Sequence, residues 1–240
     1  RSITFSDVNI VNPSNAVDPS LKDENGFTVD VGARGNLNSW VSYDIGFFSL
    51  FYKDRIGFLF TSIPPINNLG QLRTNIGDAT IMGLESVLDF NLKKILTIGD
   101  RFSLNYFVNT SVINSKYTRV ITNGIKGNKV EFVPDFNIKT GIRFGYQNVS
   151  SSIQYTYLSD QFSDASNSVT GDVSGITGMI PAYDVLDISA SYTYKFMKLE
   201  TGINNVLDKV YFTRRATGYP GPGIIPSIPR NWYVTLQFKF

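Results

Sequence analysis

The sequence predicts an all-β chain of about nine antiparallel strands that crosses a bilayer as part of a β-barrel. Three observations predict it. Charged residues make up only 18% of the 240 residues while aromatics make up 14%, where soluble domains carry about a quarter charged. Apolar residues recur at every second position in several segments, the period of a strand with one apolar face. The connections between those segments alternate short and long, as they do between the two rims of an outer-membrane barrel.

Taken from the N-terminus, Phe27 to Arg34 and Trp40 to Tyr52 are short or noisy strand candidates joined by the short link Gly35 to Ser39. A long connection, Thr61 to Ala79, leads to a third strand in which Leu84, Leu88, Phe90 and Leu92 alternate with Glu85, Val87, Asp89 and Asn91. A short turn over Lys93 to Asp100 precedes Phe102, Leu104, Tyr106 and Val108, which alternate with Ser103, Asn105, Phe107 and Asn109. After the long link Arg119 to Lys129, the residues Phe136, Ile138, Thr140, Ile142, Phe144 and Tyr146 share one face. The opposite face there is polar, basic and small: Asn137, Lys139, Gly141, Arg143 and Gly145.

A tight turn at Gln147 and Asn148 joins this strand to Val149 to Tyr157, and a long loop, Gln161 to Pro181, follows. Leu186, Ile188, Ala190, Tyr192 and Tyr194 then alternate with Val185, Asp187, Ser189, Ser191 and Thr193. Beyond a tight turn around Lys195 and Phe196 come Leu199 to Ile203, the long loop Leu207 to Pro229, and a last strand bearing Trp232, Val234, Leu236, Phe238 and Phe240 on one side. Aromatics gather at strand ends beside the short turns, where amphipathic rings sit at headgroup level. Nine is an odd number for a single-chain barrel, and Arg1 to Glu24 reads as an outer loop leading into the first strand. The expectation is therefore that residues 1–240 are the C-terminal portion of a larger barrel.

Composition also excludes. No Cys and no His occur, so disulfides, His-based acid–base chemistry and Cys- or His-ligated metals are absent. A net charge of +2 without a basic stripe argues against nucleic acid. No apolar run approaches the roughly 18–20 residues of a membrane helix. The polar face carries Arg34, Glu85, Asp89, Lys139, Arg143 and Asp187, expected to pair across the wall or to meet a domain filling the lumen. Asn204, Asn205 and Asp208 stand where a strand ends and are expected to shape a turn.

The motifs Pro19-Ser20-Leu21-Lys22-Asp23-Glu24, Phe51-Tyr52-Lys53-Asp54-Arg55-Ile56, Gly83-Leu84-Glu85, Val133-Pro134-Asp135, Tyr183-Asp184-Val185-Leu186-Asp187, Asn204 to Tyr211 and the terminal Arg230 to Phe240 occur in that order. In this order and spacing the chain resembles the C-terminal third of TonB-dependent outer-membrane receptors, from about Asp18 to Phe240. The resemblance implies a barrel of about 22 strands whose plug domain and N-terminal strands lie outside this sequence. It implies a non-enzymatic receptor in the outer membrane of a Gram-negative bacterium.

The segments Tyr211 to Gly223 and Leu158 to Asp164 resemble the ferric-dicitrate branch. That implies energised uptake of ferric citrate or another ferric siderophore, with Arg214, Arg215 and Gln161 as ligand-binding candidates. The chemical reason is that the planar guanidinium fork matches carboxylates; the alternative is that these arginines fold back onto loop carboxylates such as Asp208. Phe240 matches the terminal aromatic that signals barrel assembly. The implied partners are the ferric ligand, outer-membrane lipids, the TonB energy-coupling complex and the barrel-assembly machinery. No cofactor is expected, iron being part of the cargo. A passive porin-like barrel, a receptor for a different nutrient and a secreted β module are the alternative readings.

Overall fold

A computed structural model of the protein describes residues 2–4, 15–63, 68–120, 124–173, 175–216 and 223–239. Its elements, in order, are β1 (Asn15–Val17), β2 (Asn25–Leu37), β3 (Val41–Ile63), β4 (Asn68–Asn91), α1 (Leu92–Ile95), β5 (Phe102–Val120), β6 (Phe136–Tyr146) and β7 (Val149–Leu158). They continue with β8 (Gln161–Phe162), β9 (Met179–Ile180), β10 (Tyr183–Tyr194), β11 (Met197–Asn204), β12 (Phe212–Ala216), β13 (Gly223–Pro226) and β14 (Asn231–Phe238). One sheet holds the chain together in the order β14-β11-β10-β7-β6-β5-β4-β3-β2, the nine strands that the periodicity predicts. Its neighbours are antiparallel; the one parallel pair among the described residues is formed by β1, whose three residues add to β4 at Gln71 to Arg73. Strands β2 and β14 are the two edges and do not pair with each other, so the sheet is open among the described residues.

The register sorts side chains onto two faces. Phe27 pairs with Phe51, Val31 with Phe47, Phe47 with Leu84, and Leu84 with Val112; farther along, Ile188 pairs with Ile203, and Ile203 with Trp232. This face is apolar and bare: Phe27 is 63% exposed, Val31 71% and Trp232 76%. A continuous apolar surface of this extent has no place in water and fits hydrocarbon. No helix among the described residues is long and apolar enough to cross a membrane; the crossing is made by strands.

The opposite face carries the charges expected there. Arg143 pairs with Asp89 and lies 5.0 Å over the Phe107 ring, and Asn105 Nδ2 donates to Asp89 Oδ1 at 2.9 Å. Arg34 lies 4.0 Å from Asp44. These are pairs within the wall.

Two local expectations are corrected. The connection predicted as a long loop over Thr61 to Ala79 is mostly strand, because β3 and β4 run to 23 and 24 residues. At about 3.3 Å per residue β3 is roughly 75 Å long, whereas a tilted crossing takes only about 9–11 residues. The hairpin therefore projects far beyond the bilayer. What hides it in the sequence is a break in the ladder, which shifts register between Tyr52 and Arg55 and again between Arg55 and Ile56. Asp54 takes φ 54° and Gly77 φ 153° at that level, so the period is interrupted and then resumes. The second correction is α1, a single helical turn inside the predicted short link; Asn91 caps it by accepting from the Lys94 backbone N–H at 3.2 Å.

The buried core lies at the long-loop end, outside the apolar band. Ile76, Ala79, Tyr117, Ile125, Val130 and Ala165 form it, with Tyr52, Leu59 and Ile81 packed against it. Above Val112, where β6 no longer covers β5, the 124–135 loop takes the place of a strand: Tyr117 N–H donates to Asn128 O at 2.9 Å and Gly127 N–H to Tyr117 O at 2.8 Å. The N–H and C=O of Tyr117 are thereby satisfied without a neighbouring strand.

The segment before β2 is docked by side chains. Asp18 accepts from the Ser20 hydroxyl at 2.6 Å and backbone at 2.8 Å, and from the Thr74 hydroxyl at 2.6 Å. These bonds hold its pKa below the ordinary carboxylate value, as the Arg119 guanidinium does for Asp78. A carboxylate with a lowered folded pKa contributes stability that is complete above its unfolded value of about 4 and is lost as pH falls through the folded one. The protection of amides 15–24 from hydrogen exchange, taken against the intrinsic rate at each pH, should therefore be high at pH 7 and fall selectively below about pH 4. Equal protection at both pH values would show that these bonds do not hold the segment.

Candidate functional site

The candidate site is the folded end of the sheet, where three outer loops are tied in series. Asn128 Nδ2 donates to Ala165 O at 3.0 Å, while Asn167 accepts from Lys129 N–H at 2.7 Å and donates to Lys129 O at 2.9 Å. Phe132 N–H donates to Phe162 O at 2.8 Å. The 161–181 loop closes on itself through the β8–β9 pair, Gln161 opposite Ile180, and through Ser163 Oγ to Gly178 O at 2.9 Å.

Arg215 supplies the next tie. Its Nη1 donates to Gly175 O at 2.8 Å and its Nη2 to Met179 O at 3.0 Å, and its guanidinium lies 5.2 Å from the Phe212 ring centre. Gly178 takes φ 116° against Gly171, where a Cβ would meet Gly171 Cα at 2.8 Å and Arg215 Nη2 at 3.2 Å. Glycine there lets the two loops close around the guanidinium.

The residues singled out from sequence thus fall in different settings. Arg214 and Arg215 are consecutive on β12, opposite Ile225 and Ile224 of β13, so they project to opposite faces of the hairpin. Arg214 is exposed; Arg215 is spent on carbonyls of the neighbouring loop. Neither folds onto Asp208, which instead lies 3.7 Å from Arg230. Gln161 is buried within the platform. Phe240 lies outside the described residues, as do residues 217–222 of the last loop.

Asn205 is buried at φ 52°, accepting from Lys209 N–H and donating to Lys209 O, both at 2.9 Å, while its own N–H donates to Asp187 Oδ1 at 2.9 Å. It shapes the exit from β11.

Sequence reasoning missed a second feature, a cavity of about 330 Å³ lined by Glu24, Tyr52, Arg55, Phe58, Arg73 and Asp164 among others. Arg55 pairs with Glu131 and donates to the Tyr117 hydroxyl at 2.6 Å, and that hydroxyl donates to Glu131 Oε2 at 2.7 Å. Burial, then the Glu131 charge, raises the Tyr117 pKa, so the phenol stays protonated; Arg55 is held charged by Glu131 against the opposing effect of burial. Arg73 lies 4.6 Å over the Phe58 ring. Asp164 Oδ1 accepts from the backbone N–H groups of Ser166 and Ser168 at 3.0 and 3.4 Å, and Oδ2 is buried without a partner among the described residues. The one signal in the sequence was the cluster of Tyr52, Arg55 and Phe58 just past the second predicted strand. No cluster of His, Cys, Asp or Glu suited to a metal ion occurs among the described residues.

A sheet with one bare apolar face, short turns at one end and loops folded into a platform at the other is the wall of an outer-membrane β-barrel. The family described as TonB dependent receptor-like, beta-barrel matches residues 3–206, and the chain belongs to it. Its members are bacterial outer-membrane transporters that work with TonB.

Among solved structures, the unliganded ferric citrate transporter FecA is similar over 89% of this chain and 31% of that one, with 21% identity and a TM-score of 0.72. The copper transporter OprC is similar over 100% and 35%, with 16% identity and a TM-score of 0.74. The ferric yersiniabactin uptake receptor FyuA from Yersinia pestis is similar over 92% and 30%, with 16% identity and a TM-score of 0.67. The chain spans about a third of the length of each. Likeness at these identities concerns the fold, and the three cargoes differ.

Proposed function

We propose that this chain forms part of the wall and outer platform of a receptor that takes up a ferric complex of citrate or a similar carboxylate-bearing chelator, driven through TonB by segments outside residues 1–240. The observation that carries the reading is the presentation of Arg214: an exposed guanidinium on a hairpin whose other face is anchored by Arg215. An anchored fork meets a carboxylate with little ordering cost. Arg215 then acts as a positioning residue, and Gln161 supports the loop that Arg215 grips. The sheet, open between β2 and β14 among the described residues, supports this reading over a passive small barrel.

In the full-length receptor, Arg214→Ala should weaken ferric citrate binding by roughly 10–100-fold, the worth of a charge-assisted hydrogen bond. Arg215→Ala should weaken it less and should expose residues 161–181 to protease, which Arg214→Ala leaves protected. Unchanged affinity in Arg214→Ala would remove that residue from the site.

A further inference from the structure

Many of the basic residues away from the short turns are neutralised within the chain. Around the platform and on the polar face, Arg34, Arg55, Arg119, Lys129, Arg143, Lys198, Lys209 and Arg230 each have a carboxylate partner. The short-turn rim collects cations in excess of acids. It carries Lys93, Lys94, Arg101, Lys195 and Lys239, and the one acidic side chain there, Asp100, is taken by Lys93 at 3.1 Å. The side chains of Lys94 and Arg101 form no ion pair among the described residues, and Lys195 lies 5.4 Å over the Tyr194 ring.

Lys94 and Arg101 stand at the two ends of the link between β4 and β5, the one short turn that contains a helical turn. Apolar groups surround them in the open. Ile95 is 43% exposed and Leu96 61%, and Phe102 on the apolar face packs at a tilt against Tyr146 with ring centres 4.7 Å apart. A link built only to reverse the chain has no use for an exposed Ile-Leu pair. Two unneutralised cations above a bare apolar floor fit a molecule with an anionic head and a hydrocarbon tail.

We propose that the β4–β5 link is a binding site for an anionic phospholipid of the leaflet at the short-turn end. Lys94 and Arg101 take the headgroup charge from its two sides, and the acyl chains run along Ile95, Leu96 and Phe102 onto the apolar face. The proposal rests on that face meeting lipid. The charge pattern favours this occupant over a protein, because five cations against one acid, itself taken by Lys93, give the rim a net positive sign that matches a uniformly anionic surface.

The test is native mass spectrometry of the full-length receptor released from mild detergent with equal amounts of phosphatidylglycerol and phosphatidylethanolamine. The wild type should retain phosphatidylglycerol preferentially. Lys94→Gln and Arg101→Gln should each lower that preference roughly fivefold, while Lys94→Arg and Arg101→Lys preserve it. Absence of a preference in the wild type, or a preference unchanged in Lys94→Gln with Arg101→Gln, would overturn the assignment. So would loss in Lys195→Gln alone, which would place the lipid elsewhere on the rim. Insertion of the receptor into neutral phosphatidylcholine vesicles tests the lipid-facing reading separately, since it does not depend on these cations.

Discussion

Replacing Glu131 with Ala is expected to destabilise the platform by about 3–5 kcal/mol, the usual cost of removing one member of a buried ion pair. Arg55 and Glu131 retain only 19% and 10% side-chain exposure, so the guanidinium left behind cannot recover its hydration. Tyr117, whose hydroxyl bridges the two, would keep one of its two bonds. The measurement is hydrogen exchange of the Tyr117 and Val130 amides in the full-length receptor, both protected by bonds to or within this cluster. Their protection should fall while amides of β10 and β11 stay unchanged. Replacing both charges with apolar residues, Arg55→Met with Glu131→Leu, should restore most of the protection, because the desolvation cost disappears along with the attraction. Protection that survives Glu131→Ala would mean that Arg55 finds water.

Gly77→Ala is expected to be nearly as damaging for a different reason. A Cβ at Gly77 would meet Arg119 O at 2.0 Å and Val120 Cα at 2.8 Å, both backbone atoms of the paired strand, and φ is 153°. The disfavoured backbone region alone costs roughly 1–3 kcal/mol, and the clash requires the β4–β5 ladder to separate where Arg119 bonds Asp78 at 2.7 Å. Gly127 gives the control: it takes φ 90° but nothing lies within 4 Å of its would-be Cβ, so Gly127→Ala should show the backbone penalty without the clash. Thermal unfolding of the two variants should separate clearly. Equal shifts would show that the β4–β5 pairing yields at this point.

The wall was legible because a strand with one face in lipid and one in polar surroundings must alternate, and that rule is written at every second residue. Nine strands and their facing followed from it, including Asp89 opposite the apolar row that ends in Phe90. The projecting hairpin was not legible, since the register breaks around Asp54 and Gly77 interrupt the period on which the reading depends. The platform was illegible for a stronger reason. Arg55, Tyr117 and Glu131 meet across separations of 62 and 76 residues, and no local pattern announces such a meeting. Arg214 and Arg215 read alike as ligand candidates; the single-residue step between them along β12 turns them into one exposed group and one anchor.

The separation between the bare apolar face and the core around Ile76 and Val130 gives the chain two solvents, each organising its own half. The lower half is held by its strand-to-strand hydrogen bonds, because hydrocarbon offers the backbone polar groups no other partner. The upper half is held by water, through burial of Tyr117, Ile125 and Ala165 behind loops with their own hydrogen bonds. The outer loops and the lipid-facing wall are in this way organised by separate surroundings.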